Sequence, residues 1–100
     1  MRFEWDAEKN RRNQAKHKVS FEVAQRVFDD PWAQSFPERI VAGEERWHTV
    51  GLVRRTTGGF VLLLVAHSST DEGGEEVIRI ISARKATPRE RRVYEEGDKS

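Results

Sequence analysis

Residues Phe60 to Ala66 read Phe-Val-Leu-Leu-Leu-Val-Ala, an apolar run that no polar residue interrupts. A half-exposed strand would alternate apolar and polar positions. An unbroken apolar run of this length predicts a strand buried on both faces, at the centre of a sheet. It is far too short to cross a bilayer as a helix. The rest of the chain must therefore supply neighbours for this strand.

The flanking segments have the patterns of such neighbours. Glu45 to Val53 reads as a strand, and Arg54-Arg55-Thr56-Thr57-Gly58-Gly59 as the hairpin loop that leads into the apolar run. An acidic, glycine-rich loop, Ser68 to Glu75, then leads to a strand at Val77–Ile81. Short connections of this kind imply antiparallel pairing. At the N-terminus Met1, Phe3 and Trp5 alternate with Arg2 and Glu4, which predicts a short strand with one buried face. Trp32 to Phe36 reads as another, stopped by Pro37. Asp6 caps a surface helix that runs to about His17. Ser20 caps a second, Phe21 to about Asp29, whose Phe21, Val23, Ala24, Val27 and Phe28 share one arc. Thr87-Pro88-Arg89-Glu90 carries a capping residue, a first-position proline and a glutamate three residues after the cap, so a last helix starts there and runs to about Glu96. The expected class is α+β: an antiparallel sheet of four to five strands with two N-terminal helices and one C-terminal helix. Residues 1–97 are expected to form one domain, and 98–100 a polar C-terminal tail.

Charged residues make up 35% of the chain, yet the net charge is only +1. What matters is the segregation. Lys9, Arg11, Arg12, Lys16 and Lys18 crowd the first segment, and Arg84, Lys85, Arg89, Arg91 and Arg92 crowd the last. Acids gather at Glu44-Glu45 and at Asp71-Glu72-Gly73-Gly74-Glu75-Glu76. Such a distribution builds a basic face on a nearly neutral protein, or two well-solvated helices. The chain has no cysteine, which excludes disulfides and thiolate metal sites. Its opening, MRFEWDAEKN, has no apolar signal region, so a cytoplasmic location is expected.

Phe3-Glu4-Trp5-Asp6, then Asn13, Lys16-His17, Val19, Phe21 and Ala24, resembles the opening signature of BrnT toxins. Phe28-x-Asp30-Pro31, Gly43-Glu44-x-Arg46 and Gly51 continue it in the same order. Arg79-Ile80-Ile81-Ser82-Ala83-Arg84-x-Ala86, followed by Glu90 and Tyr94, resembles its closing signature. The likeness covers nearly the whole chain. It implies a RelE-like fold and a metal-independent endoribonuclease toxin that inhibits translation and growth, with no cofactor. It also implies a BrnA-like antitoxin with a ribbon-helix-helix DNA-binding module, so that operator DNA is reached only through the toxin–antitoxin pair. One segment departs from the family: Ser68 to Glu76 is longer and more acidic, and if it overhangs the active face it would weaken RNA binding or tune the choice of partner.

Cleaving RNA without a metal needs a base for the 2′-hydroxyl, cations around the phosphate and an acid for the departing 5′-oxygen. Arginine suits the second role and histidine the other two. His67, Arg79, Arg84 and Lys85 are the candidate catalytic residues. Arg79 interrupts an apolar strand, on the face of Val77 and Ile81, so it either looks into an open cleft or pairs with a neighbouring strand, for instance with Glu45. Arg84 and Lys85 lie where that strand hands over to the last helix, a position suited to anions or simply a basic turn. His67 ends the apolar strand and either opens onto a cleft or is a half-exposed strand-end residue. Lys16, His17, Arg46, His48 and Tyr94 are the candidate RNA-binding residues. Arg46 and His48 share a strand face, Lys16-His17 closes the first helix where its dipole favours cations, and Tyr94 either stacks on a base or packs on the sheet. Lys9, Arg12 and Lys16 form one basic stripe, which either tracks a phosphate backbone or meets an acidic antitoxin. No metal-ligand spacing is present. Two other functions stay open: a non-catalytic regulator that binds protein or DNA, and a degenerate toxin that keeps the fold without the chemistry.

Overall fold

A computed structural model describes residues 1–97. The tail expected at 98–100 lies outside the described residues. Five strands form one sheet in the order β1–β5–β4–β3–β2. They are β1 (Arg2–Glu4), β2 (Gln34–Val41), β3 (Glu44–Arg54), β4 (Phe60–Glu72) and β5 (Glu75–Lys85). The helices are α1 (Ala7–His17), α2 (Phe21–Ala24), which continues as the 3-10 helix Gln25–Asp29, and α3 (Pro88–Gly97). The expected α+β class holds, and the apolar run lies in the central strand. No helix among the described residues is long and apolar enough to cross a membrane.

Several expectations need correction. The sheet is mixed, because β1 runs parallel to β5, with Phe3 opposite Ile78 and Glu4 opposite Arg79. Pro37 does not stop its strand. β2 is an edge strand, where a missing N–H is tolerated, and the irregularity between Pro37 and Arg39 absorbs the mismatch. The acidic stretch is not a loop either. Gly73 and Gly74 both have positive φ and make a two-residue hairpin turn, so the strands pair from Glu72 opposite Glu75 inward. Its acids are engaged locally: Glu72 bonds Arg2 at 3.0 Å, Asp71 accepts the Gly74 amide and Glu76 accepts the Ser69 hydroxyl.

Helices cover both faces of β4. On one side, α1, α2 and the 3-10 helix enclose Phe21, Val27, Val53, Leu63, Val65, Ile78 and Ile80. The buried Asn13 ties α1 to β5: its side-chain amide donates to the Ala83 carbonyl at 2.8 Å and accepts the Ala83 amide at 3.1 Å. Because β1 is only three residues long, this edge of β5 has no strand partner at Ala83, and Asn13 takes that place. On the other side, α3 lays Tyr94 and the preceding Ala86 over Val50, Leu62 and Leu64. The Tyr94 hydroxyl donates to Asp30 Oδ2 at 2.7 Å, and the Leu52 amide donates to the same oxygen at 2.8 Å. One carboxylate thus fastens α3 and β3 to the end of the 3-10 helix.

Candidate active site

The α3 side of the sheet is covered only in part. Beyond the row Val50, Leu64 and Arg84, the strands continue toward the Gly73-Gly74 turn. Pairing register gives the next rows. His48 lies opposite Ala66, which lies opposite Ser82; Arg46 lies opposite Ser68, which lies opposite Arg79. Directly paired residues share a face. Arg46 and His48 therefore stand on one flank of β4 and Arg79 and Arg84 on the other, over a floor of Ala66 and Ser68. Two strand spacings of about 4.8 Å place the two flanks roughly 10 Å apart at the backbone. Long cationic side chains thus stand on both sides of a small-residue strip along β4, in which Ser68 is buried and Ala66 half-buried.

Arg79 and Arg84 are five residues apart, and regular alternation would send them to opposite faces. The register explains why they share one. Ala66 pairs with Ser82 but His67 pairs with Ile80, so Ile81 is an extra residue on β5. This bulge resets the alternation. Arg79 keeps the face of Val77 as expected, whereas Ile81 sits in the bulge.

Each cation on the strip has a distinct setting. Arg79 is exposed and makes no ion pair within 4 Å among the described residues. Its expected partner Glu45 is on β3, which β4 separates from β5. Its charge does reach Asp6: the Lys9 amide chiefly, then the Glu8 amide and the charges of Lys9 and Arg79, hold that carboxyl below its usual value. Arg84 is gripped by Glu90 through two hydrogen bonds, which raise its already high pKa. Arg46 Nε lies 3.4 Å from Glu44 Oε1 and is buried without a hydrogen-bond partner. His48 Nε2 lies 3.4 Å from Glu38 Oε2, and the Phe36 ring meets the imidazole edge-on with centroids 5.8 Å apart.

The remaining candidates lie elsewhere. His67 faces the α1 side, buried at 4% exposure, with Nε2 2.7 Å from Thr49 Oγ1 and its ring against Phe28. Burial lowers its pKa, which favours the neutral ring. It is not a strand end, since β4 runs on to Glu72. Lys85 also projects to the α1 side, where it lines a cavity with Lys18 and Arg54. Lys16 and His17 end α1, on that same side. Tyr94 packs on the sheet and bonds Asp30. The structure thus brings together Arg46, His48, Arg79 and Arg84, with Tyr94 at the covered end, and separates them from His67, Lys85, Lys16 and His17. Sequence reasoning missed Ser68, Ser82 and the His48–Glu38 contact. The Gly73-Gly74 turn was the available signal for Ser68, because counting inward from it pairs Ser68 with Arg79, whereas the bulge at Ile81 breaks that count before Ser82. Among the described residues no group of three or more His, Asp or Glu side chains is placed to hold a metal ion.

Comparison with known families places these features in context. The family model described as "Ribonuclease toxin, BrnT, of type II toxin-antitoxin system" matches residues 5–90. No curated protein matches the chain.

Proposed function

The chain belongs to the BrnT family of type II toxin–antitoxin ribonuclease toxins, and from that premise we propose that it is a metal-independent endoribonuclease that cleaves RNA on the basic strip along β4. Membership brings an antitoxin partner and an RNA substrate. The observation that carries the site assignment is the convergence of Arg46, His48, Arg79 and Arg84 on one face over Ala66 and Ser68.

Each role follows from the setting of the side chain. A scissile phosphate seated between the flanks meets Arg79, whose guanidinium is exposed and makes no ion pair among the described residues, and so can bind phosphate oxygens without first breaking a salt bridge. Arg84, oriented by Glu90, supplies a second positive charge from the same strand. Arg46 supplies a third from the opposite flank. As the 2′-oxygen attacks phosphorus and the bond to the 5′-oxygen breaks, charge redistributes over the phosphoryl oxygens, and prepositioned cations stabilise it. His48 is the one imidazole on this face. It takes the proton from the 2′-hydroxyl or gives one to the 5′-oxygen. The products are a 2′,3′-cyclic phosphate and a 5′-hydroxyl. Cleavage of cellular RNA in the cytoplasm would halt translation and growth. The partner is a BrnA-like antitoxin with a ribbon-helix-helix module, through which the pair reaches operator DNA.

The test is incubation of the purified protein with a labelled RNA in excess chelator. Cleavage with cyclic-phosphate ends supports the proposal, and intact RNA in the presence of folded protein sinks it. Growth arrest on expression, relieved by a BrnA-like antitoxin, tests the cellular role.

A further inference from the structure

The α1 side of the molecule carries a second concentration of charge that catalysis on the strip does not use. A cavity of about 590 Å³ opens between the end of α1, the 3-10 helix and the β3–β4 hairpin. Its rim holds Lys18, Arg26, Arg54, Arg55 and Lys85, and among the described residues no carboxylate lines it. None of the five makes an ion pair within 4 Å among the described residues. Five uncompensated cations on a chain of net charge +1 are a strong local field. On the strip Arg79 is likewise without an ion pair among the described residues, but Arg46, His48 and Arg84 each have a carboxylate within 4 Å. The floor is aliphatic, formed by Val19, Val23, Val61 and Leu63.

We propose that this cavity is the docking site for an acidic segment of the antitoxin, which seats an aliphatic side chain on the valine–leucine floor and sets carboxylates against the rim. The proposal rests on family membership and not on the catalytic assignment. Charge complementarity points to an acidic occupant. The floor points to a polypeptide and away from RNA: single-stranded nucleic acid is held by aromatic stacking as well as by cations, and no aromatic side chain lines this cavity. The cavity also lies on the sheet face opposite Arg79 and Arg84, so a partner seated there leaves the strip physically separate. Inhibition would then need either a second segment of the same antitoxin or a change in α1 and β5 transmitted through Asn13.

The experiment measures the affinity of a purified BrnA-like antitoxin for wild-type protein and for Arg26→Glu/Arg55→Glu. Both arginines are on the rim and neither belongs to the strip. The double variant is expected to bind at least tenfold more weakly, to show a shallower dependence on salt and to cleave RNA within twofold of wild type. Arg26→Lys/Arg55→Lys is expected to keep most of the affinity. Should the reversal variant misfold, Arg26→Gln/Arg55→Gln removes charge without repulsion and is expected to lose several-fold in affinity. Unchanged antitoxin affinity in the folded variants overturns the proposal. So does loss of RNA cleavage with antitoxin affinity intact, which reassigns the cavity to RNA. If no version of the protein cleaves RNA, the strip assignment fails while the affinity comparison still decides the docking site.

Discussion

The guanidinium of Arg84 meets the carboxylate of Glu90 at two points, Nη1 to Oε1 at 2.8 Å and Nη2 to Oε2 at 2.9 Å. The same carboxylate accepts the Thr87 amide at 2.9 Å, and the Thr87 hydroxyl accepts the Glu90 amide at 3.2 Å. The capping box that starts α3 therefore also fixes an arginine of the strip. The positioning of a functional cation and the beginning of a helix share one side chain.

This sharing makes stability depend on pH. The Arg84 hydrogen bonds hold the Glu90 carboxyl below its usual value of 4.5. A carboxyl with a depressed folded pKa stabilises the fold above its unfolded pKa, and that contribution is lost as pH falls through the folded value. Thermal melts between pH 6 and pH 3 should show the wild type losing stability. Glu90→Gln should start lower at pH 7, by about 1 kcal/mol for the weakened cap and pair, and fall less steeply. Parallel curves for the two proteins would remove Glu90 from this role.

Arg79 should separate activity from stability. It is exposed and makes no ion pair among the described residues, so Arg79→Ala should change stability by no more than about 0.5 kcal/mol. Loss of a prepositioned charge at the reacting phosphate should cut cleavage roughly 10²–10³-fold. Arg79→Lys should recover only part, since an ammonium lacks the two-point geometry. Single-turnover cleavage of a labelled oligonucleotide measures both, and wild-type rates in the alanine variant would take Arg79 out of the site.

The two strand histidines should behave in opposite ways. His48→Ala should slow cleavage by about 10²–10⁴-fold. His67→Gln should leave the rate within a few-fold and act on stability instead. Burial depresses the folded pKa of His67, so the unfolded chain takes up the proton first as pH falls through about 6.5. Wild-type stability should therefore decline from pH 7 to pH 5, and His67→Gln should remove that decline. Large rate losses in a folded His67→Gln protein would reverse the assignment.

Gly51 marks where the 3-10 helix presses on β3. A Cβ there would lie 2.8 Å from Val27 Cβ and 3.0 Å from the Val27 carbonyl oxygen. Val27 is fully buried and has no room to yield. Gly51→Ala should cost about 1–3 kcal/mol from overpacking, read as a lower denaturant midpoint. A neutral result would mean that the helix is free to lift away.

The central strand, its antiparallel neighbours and the capped last helix were legible because each is written in local pattern: an unbroken apolar run, glycine-marked hairpins, a Thr-Pro-x-Glu start. The site was legible only in part. Arg79 and Arg84 drew attention as charges in and beside an apolar strand, but their relation to Arg46 depends on register, which is a long-range property. Treating Ser68 to Glu75 as a loop hid that register and made His67 look like a strand end. Pairing actually extends to Glu72, which leaves His67 in mid-strand against Phe28. Pro37 misled for a related reason, since its cost depends on whether the strand is at an edge, and no local signal says so.

The bulge at Ile81 gives the spacing of the chain a functional meaning independent of side-chain chemistry. Delete that residue and the ladder becomes regular: Arg84 then lies four places from Arg79, and both still look the same way. What must be kept is the pairing of Arg79 with Ser68 and of Arg84 with Leu64, whether β5 spans those rows in four steps or in five with one bulge. Tolerance here should thus be wide both for exchanges at position 81 and for its removal, and narrow for loss of a single residue of β4 between Leu64 and Ser68, which no catalogue of essential side chains would suggest.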